Sequence, residues 1–272
     1  MRDRRMLENA FAPLGITVKW YPFYTGADST RAMAASSIDI ASVINSTSII
    51  VANAAGNPVQ IAALVSRPRQ TFALMAGPGG PRNVRDLKGK TIAGPKGSVL
   101  HQMLIAALAR EGMKSSDVKF IHMELPAARA ALLSKQVDAA LQAGSLIISN
   151  EAAGLHTIIS ADGYINPLLF TAVRPAFAKS SPELLQIYLQ VQAEAYDWIA
   201  AHQAEAIAIG CRLLQIPTED GNKLYAWSGM AKTMEESDIR ALQADVDFLY
   251  KQKMIERKIN PRQLVLPSAF GK

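Results

Sequence analysis

The sequence of 272 residues is poor in the residue types from which many enzyme and cofactor sites are built. Its one cysteine, Cys211, excludes an internal disulfide and any site with several cysteine ligands. The four histidines have no cysteine or histidine partner at ligand spacing, so we expect no metal and no other cofactor. No apolar run approaches the roughly 20 residues that cross a bilayer, which excludes a membrane-spanning chain.

The common catalytic signatures are also missing. The patterns G-x-S-x-G and H-E-x-x-H and the phosphate-binding Walker A loop do not occur. The glycine-rich stretch Gly77–Pro81 contains two prolines and precedes no helical pattern, which indicates a turn. Cys211 lies in an apolar helical stretch, where a thiol is more often buried than nucleophilic. The sequence therefore favours a protein that is not an enzyme.

The charge is moderately basic, with 29 Lys+Arg against 23 Asp+Glu and a formal net charge of +6. Such a balance is compatible with nucleic acid, an anionic surface or a small anionic ligand. The basic clusters are short and are not interleaved with aromatic residues, so we expect a solvated surface and no nucleic-acid partner. Arg2–Arg5 resembles the start of a secretory signal, but no apolar region follows, so the chain as given is predicted to carry no signal peptide.

Short β-type runs alternate with helical patterns through the first two thirds of the sequence. Strands separated by helices are typical of an α/β protein with largely parallel sheets. The clearest helix begins after Ser98, and Gly112 predicts its end; from Ser181 onward the apolar stripes indicate helices alone. The candidate strands are Thr17–Phe23, Ile38–Ile44, Gln60–Val65, Thr71–Ala76, Thr91–Gly94, Val118–Met123, Val137–Leu141, Thr157–Ser160 and Leu168–Val173.

An internal repeat suggests two lobes of related architecture. The segment Arg31–Ala41 is echoed by Arg129–Ala140, and each reads as a helix of small residues, a short polar turn and an apolar strand entered through Ile/Val-Asp. A second local feature, the junction Gly94–Ser98, joins a strand to the strongest helix. Backbone amides at a helix start have no intrahelical partner and can bind an anion.

Several motifs together resemble a known family. Val84–Ala93, Lys96–Ser98 and His101 are similar to the opening of the second lobe of solute-binding proteins that serve ABC importers, in the nitrate, taurine and alkanesulfonate branch. Further matches are Arg31–Ala41, Asp117-Val118, Ala127–Ala140 and Asp247–Tyr250, so that the resemblance runs from about Leu7 to Arg262. Aliphatic-sulfonate binders are the most similar members.

The resemblance implies a two-lobed α/β protein with the type II periplasmic-binding-protein fold. Such a protein is a periplasmic monomer that closes over a small anionic solute and presents it to a membrane permease. We expect two crossings between lobes, near Ala76–Pro81 and near Leu169–Ala172. Lobe one would then hold residues 1–77 and 171–272, and lobe two residues 78–170.

The start of the chain departs from the family pattern. Family members open with a strand and a ligand-contacting loop, whereas this sequence opens near the first helix, at Met6–Ala12. The resemblance therefore predicts a truncated or late start, and an incomplete sheet in lobe one next to Thr17–Phe23 or Ile38–Ile44.

The expected ligand site lies between two segments that follow strands, which is where open α/β sheets bind ligands. We expect the anion between residues 45–47 of lobe one and 97–99 of lobe two, held by hydroxyls, an amide and helix-start N–H groups. Trp227, in a loop, would cover the apolar part of the ligand. The full set is Asn45, Ser46, Thr47, Gly97, Ser98, Val99, His101, Gln142, Ser145 and Trp227.

Two other functions on the same scaffold remain open from the sequence. Desulfinases that resemble this family use a cysteine nucleophile at the cleft, and Cys211 is remote from every cleft motif. A DNA-binding regulator with this effector fold would need a helix-turn-helix before the first matched element, and only a few residues precede it.

Overall fold

The computed structural model describes residues 1–23 and 25–271, and its strands form two sheets. The first sheet has three strands in the order β1-β8-β2, and the second has five in the order β5-β4-β6-β3-β7. The strands are β1 Ile40–Asn45, β2 Gln60–Ser66, β3 Phe72–Ala76, β4 Thr91–Gly94, β5 Lys119–His122, β6 Ala139–Ala143, β7 His156–Ser160 and β8 Leu169–Val173.

Parallel and antiparallel pairs are mixed in these sheets. Strand β8 lies antiparallel to both of its neighbours in the first sheet. In the second sheet β4 is parallel to β5 and β6, whereas β3 is antiparallel to β6 and β7. The α/β class is confirmed, but parallel pairing is less extensive than the sequence predicts. Among the described residues it is limited to the β4–β5 and β4–β6 pairs and an isolated bridge between Ile61 and Val265.

Eight of the nine candidate strands are confirmed, each within two residues of the expected ends. The ninth prediction, a strand at Thr17–Phe23, is wrong. None of its backbone groups forms a backbone hydrogen bond with another residue that the structure describes. Its apolar side chains Val18 and Trp20 pack instead against the buried cluster around Leu7 and Tyr188, so the alternation reflects packing without a sheet partner.

Helices cover the faces of both sheets and fill the last third of the chain. In the described residues, none of them is both long and apolar enough to cross a membrane. They are α1 Met6–Phe11, α2 Gly26–Ala34, α3 Ser46–Ala54, α4 Val99–Arg110, α5 Leu125–Leu133, α6 Ser145–Ala152, α7 Pro175–Ser180, α8 Pro182–Ala201, α9 Gln203–Leu214, α10 Thr218–Trp227 and α11 Glu236–Lys251.

Separate apolar cores surround the two sheets. One cluster joins the first sheet to α3 and α11, through residues such as Ile50, Phe170 and Leu242. Two further clusters cover the second sheet, one of them through α4 and the other through α5 and α6. We call the first sheet with α3, α8 and α11 the first unit, and the second sheet with α4, α5 and α6 the second unit.

The internal repeat folds as the sequence predicts, once in each unit. Helix α2 leads to β1 and helix α5 leads to β6. Both turns have a residue in the left-handed region, Ser36 at φ 56° and Lys135 at φ 59°. In each turn two consecutive amides return to the end of the helix, an arrangement that stops a helix and redirects the chain.

The chain passes between the sheets twice, through residues 67–71 and 161–168. Strand β3 pairs with β6 and β7, so sheet pairing favours a first boundary before β3 and not after residue 77, where we expected it. The expected lobe ranges therefore stay a prediction, with these two segments as the favoured boundaries. Tyr24 and Lys272, both assigned to lobe one, lie outside the described residues.

Candidate functional site

Strand ends and helix starts gather at one edge of the second sheet. Because β4, β5 and β6 are parallel, their carboxyl ends share that edge, and α4, α5 and α6 begin there. In the first sheet β1 leads directly into α3. The N-terminal ends of helices carry partial positive charge, so this arrangement supplies several dipoles that favour an anion.

The start of α4 is a capped helix terminus with buried amides. Gly97 has φ +76°, and its N–H donates to His101 Nδ1 at 3.3 Å. The Ser98 hydroxyl donates to the Pro95 carbonyl at 2.7 Å and accepts from the His101 amide at 3.4 Å. The N–H groups of Ser98 and Val99 form no hydrogen bond to another described residue, although both residues are buried. N–H groups in the first turn of a helix have no intrahelical partner, so they can donate to an anion.

His101 is a neutral member of this group. Its ring is largely buried and lies 4.5 Å from that of Phe120 between centroids. Burial, together with a smaller effect of the positive charge of Lys96, lowers the pKa of His101 to about 4. His101 therefore cannot supply a positive charge to a bound anion at neutral pH, and its Nδ1 already accepts a hydrogen bond.

The start of α3 has a similar construction. The Asn45 side chain caps the helix by accepting from the Ser48 amide at 2.8 Å. The Thr47 N–H has no hydrogen-bond acceptor among the described residues, and Thr47 is fully buried. The Ser48 hydroxyl is also buried, with no hydrogen-bond partner in the part of the chain that the structure describes. A Cβ at Gly26, the first residue of α2, would lie 2.5 Å from this hydroxyl, so α2 and α3 begin side by side.

The hydroxyls of Ser46 and Thr47 are engaged within the protein. Thr47 Oγ1 donates to Gln102 Oε1 at 2.5 Å, and Ser46 Oγ donates to Asp245 Oδ2 at 3.0 Å. Gln102 Nε2 in turn donates to Asp245 Oδ1 at 2.6 Å. Burial raises the pKa of Asp245 to about 6, although the hydrogen bonds from Gln102 and Ser46 act in the opposite direction. This network joins the first turns of α3 and α4.

The remaining predicted polar residues lie on β6 and at the start of α6. Gln142 is fully buried, and its Oε1 has no hydrogen-bond partner. Its Nε2 donates to the Leu125 carbonyl at 3.5 Å. Ser145 is the first residue of α6 and follows Gly144, which has φ 57°. Glu124, at the start of α5, has a buried carboxylate oxygen without a partner, so an acid also lies at this edge.

Trp227 is placed differently from the expectation, because it is the last residue of α10 and not part of a loop. Its ring is partly buried against the alanine-rich cluster of the second unit. The Lys223 ammonium lies 4.9 Å from the ring centroid and forms a 2.9 Å ion pair with Glu151 on α6. Trp227 thus joins the C-terminal helices to the second unit.

A cavity of about 530 Å³ lies elsewhere, beside the outer edge of β1. Segment 16–23 forms one wall, and residues 37–43 form the other. Leu7 and Phe11 of α1 and Leu184 and Tyr188 of α8 also line it. None of the predicted ligand-binding residues does. Its lining is mainly apolar, so it offers little to an anion.

Four polar residues near the helix starts were not predicted from the sequence: Ser48, Gln102, Glu124 and Asp245. Ser48 and Glu124 lie within three residues of segments that we had singled out, so a wider window would have included them. Gln102 lies on the polar side of a helix whose apolar stripe we had identified. Asp245 is 143 positions from Gln102, and no local pattern predicts their contact.

Comparisons with known proteins agree with this architecture. The family described as "NMT1/THI5 like" matches residues 11–206. The taurine-binding periplasmic protein of Escherichia coli is 27% identical over 233 residues, which cover 78% of this chain and 69% of that protein. The structure of the alkanesulfonate-binding protein of Xanthomonas axonopodis pv. citri bound to MOPS superimposes with a TM-score of 0.87 at 21% identity, covering 97% of this chain and 92% of the other.

An additional structural neighbour bears on the enzyme alternative. A cysteine-to-serine variant of DszB in complex with biphenyl-2-sulfinic acid superimposes with a TM-score of 0.71 at 12% identity, covering 97% of this chain and 91% of the other. That similarity shows a shared fold alone. Because the family match covers most of the sequence, this chain belongs to the NMT1/THI5-like family and has the two-lobed α/β fold of the periplasmic sulfonate-binding proteins.

Proposed function

We propose that this protein is the solute-binding component of an ABC importer and captures a small anion of the sulfonate, taurine or nitrate class. The observation that carries the proposal is that the N–H groups of three buried residues at the starts of α3 and α4, Thr47, Ser98 and Val99, have no acceptor among the described residues. An oxyanion placed between the starts of α3 and α4 would satisfy them. Dipoles can hold an anion there without the desolvation cost of a buried ion pair.

The predicted ligand residues divide into two groups in this proposal. The backbone at residues 45–47 and 97–99 contacts the anion. The Ser48 hydroxyl, which follows the predicted segment, is a side-chain donor without a partner among the described residues, whereas Gln142 Oε1 can only accept and therefore lines the cleft without bonding to an oxyanion. The Ser46 and Thr47 hydroxyls are already bonded, so they act by holding the helix starts in place. His101 lies in the first turn of α4 and accepts from the Gly97 amide, whereas the Trp227 ring packs against the second unit.

A thermal-shift series with ethanesulfonate, taurine and nitrate tests this function, with ethanol as an uncharged control. A compound at 100 times its dissociation constant adds about 2.7 kcal/mol of stability, which corresponds to a Tm increase of roughly 5 to 10 °C for a chain of this size. Ethanol should give no shift. If no anion of the series raises Tm, the proposed function is wrong.

Ser48→Ala tests the position of the site. Because the Ser48 hydroxyl has no partner among the described residues, its removal should leave the free energy of unfolding almost unchanged and weaken sulfonate binding about tenfold. Ser268→Ala is the matched control, since this hydroxyl donates to the Ala62 carbonyl at 2.8 Å far from the helix starts. It should lower stability and leave binding intact. The reverse pattern would contradict the site.

The proposal also implies that Cys211 does not act as a catalytic nucleophile. Cys211 is buried in α9, and its Sγ lies 3.5 Å from the Pro217 carbonyl. We expect no sulfite release when the protein is incubated with aromatic sulfinates, as followed by a colorimetric sulfite assay. Release that depends on Cys211 would instead favour a desulfinase.

The same proposal places the protein in the periplasm as a monomer that docks on a membrane permease. The matched relative from Escherichia coli is named as a periplasmic protein, which supports this placement. Fractionation of cells that express the full gene, combined with size-exclusion chromatography of the product, tests both statements. A cytoplasmic product or a stable dimer would contradict them.

A further inference from the structure

We infer that Gln102 is a positioning residue that latches the second unit to the first by bridging Thr47 and Asp245. The inference rests on the proposed function, because a latch matters only if the two units close over a solute. It adds a residue that touches no solute but determines how tightly the closed form is held.

The first step of the argument is the location of the four side chains. Ser46 and Thr47 begin α3 and Asp245 lies on α11, and both helices pack on the first sheet. Gln102 lies on α4, whose neighbours Leu100 and Met103 pack on the second sheet. The hydrogen bonds from Thr47 to Gln102 and from Gln102 to Asp245 therefore cross between the units.

The second step is the fit of the groups. The Gln102 amide presents an acceptor to the Thr47 hydroxyl and a donor to the Asp245 carboxylate, and a glutamine satisfies both contacts in one orientation. Thr47, Gln102 and Asp245 are 0%, 2% and 8% exposed. Separation of the units would expose all three to water, so the full set of bonds exists in the closed arrangement alone. Each such hydrogen bond changes an equilibrium constant by roughly two- to tenfold.

The chain contains a closely matched pair that does not cross between units. The Thr171 hydroxyl donates to Gln192 Oε1 at 2.6 Å, and both residues are buried. Thr171 lies on β8 and Gln192 on α8, which belong to the first unit. Gln192→Leu thus removes the same kind of contact as Gln102→Leu, with a similar cost in burial and no effect on closure.

The experiment compares both leucine variants of the full chain by small-angle X-ray scattering and by calorimetric titration with ethanesulfonate. Gln102→Leu should increase the radius of gyration, with or without ethanesulfonate, and weaken binding about tenfold or more. Gln192→Leu should lower Tm and keep both quantities at the wild-type values. A Gln102→Leu variant with wild-type scattering and affinity, and merely a lower Tm, would overturn the latch.

Two conservative variants complete the test. In Asp245→Asn the new amide can accept from Gln102 and donate to Ser46, so the variant should keep the closed shape. A larger radius of gyration for this variant would contradict the assigned hydrogen bonds. Thr47→Val removes one bond at nearly constant volume and replaces Gln102→Leu if that variant does not fold. The scattering difference is measured without any sulfonate. The scattering difference can therefore be observed even if ethanesulfonate binds to no variant. That result would contradict the proposed function but would still support the contact between the units.

Discussion

Burial shifts the pKa values of two side chains near the starts of α3 and α4, and the two shifts have opposite directions. It lowers the pKa of His101 to about 4 and raises the pKa of Asp245 to about 6. His101 binds a proton more readily in the unfolded chain than in the folded one. Its titration therefore lowers the free energy of unfolding as the pH falls from about 6.5 to 4. Asp245 binds a proton more readily in the folded chain than in the unfolded one. Its titration therefore raises the free energy of unfolding as the pH falls from about 6 to 4.

His101→Asn separates the two contributions. Asparagine offers an acceptor to the Gly97 amide but does not titrate, so the variant should lose less stability than the wild type between pH 7 and pH 5. The expected difference is about 2 kcal/mol. Urea unfolding at the two pH values measures it, and Asp245 cancels because both chains contain it. Equal losses in the two chains would mean that His101 is protonated in the folded protein.

Gly229 is the glycine at which close approach and backbone conformation coincide. It has φ +56°, and a Cβ there would lie 2.5 Å from the Arg67 carbonyl oxygen. Its own carbonyl accepts from the Arg67 amide at 2.8 Å, so the two segments cannot move apart without loss of that bond. Residue 67 opens the first passage between the sheets.

Gly229→Ala should therefore lower the free energy of unfolding by about 2 to 3 kcal/mol. Gly112→Ala is the control, because Gly112 has φ +71° but no atom within 4 Å of the Cβ position. It carries the cost of the left-handed conformation alone, roughly 1 kcal/mol. Chemical denaturation of both variants gives the comparison, and equal losses would show that the approach to Arg67 costs nothing.

Among the elements, β1 is an edge strand, and no strand of the described residues pairs with its outer side. Its partner β8 lies on one side, and the cavity and segment 17–23 lie on the other. Val43, Tyr21 and Phe23 are large apolar side chains that remain exposed around this edge. Unpaired, apolar strand edges promote association between chains. The incomplete sheet that the family resemblance predicts at this place stays a prediction.

Hydrogen exchange should report this edge directly. The amides of 17–23 form no backbone hydrogen bond with other described residues, so they should exchange within seconds to minutes, whereas those of central strand β8 should be protected by orders of magnitude. Exchange followed by mass spectrometry resolves the two peptides. Strong protection of 17–23 would mean that another chain or segment pairs with them.

The sequence predicts the positions of the strands best, and the predictions that are wrong have a physical reason. Short β-type runs identified β1 to β8, and each of these strands has a strand partner in a sheet. At Thr17–Phe23 the alternation is satisfied by packing against α1 and α8 without hydrogen bonds. Near Trp227 the sequence Tyr225–Gly229 resembles a loop, but α10 continues to its aromatic residue because that ring is buried against the second unit.

For the candidate site, the sequence predicts where helices begin but not which side chains meet. Ser98 as the cap of α4 follows from local rules, and the structure confirms it. The cap that Asn45 forms on α3 was not predicted. The engagement of Thr47 with Gln102 depends on how two distant segments pack. Hydroxyls that we had assigned to a ligand are therefore bonded within the protein.

At the scale of the whole molecule, the passages between the sheets lie side by side and differ in how firmly they are held. Arg67 donates to Asp238 through Nε at 2.8 Å and through a terminal nitrogen at 2.6 Å, and the carboxylate is almost completely buried. Arg69 and Asp162 join the two passages by a 3.9 Å pair that is largely exposed. The first contact fixes a passage to α11, and the second contributes little.

Arg67→Met should destabilise the protein by about 3 to 5 kcal/mol, because it leaves the Asp238 carboxylate buried without its partner. Arg69→Met should change stability by less than about 0.5 kcal/mol. Thermal unfolding at pH 7 distinguishes the two variants. A similar small effect for both would show that α11 keeps its place without the anchor.

The central position of β8 in the first sheet has a consequence for the order of events on the ribosome. Strands β1 and β2 both pair with β8 and are complete within the first 66 residues, yet their shared partner begins at residue 169. The second sheet, from β3 to β7, is formed by a continuous stretch of chain and can fold while β1 and β2 are still unpaired. Synthesis at about 5 to 20 residues per second leaves those strands unpaired for about 5 to 20 seconds. Chaperone demand during translation should therefore peak before residue 169 emerges.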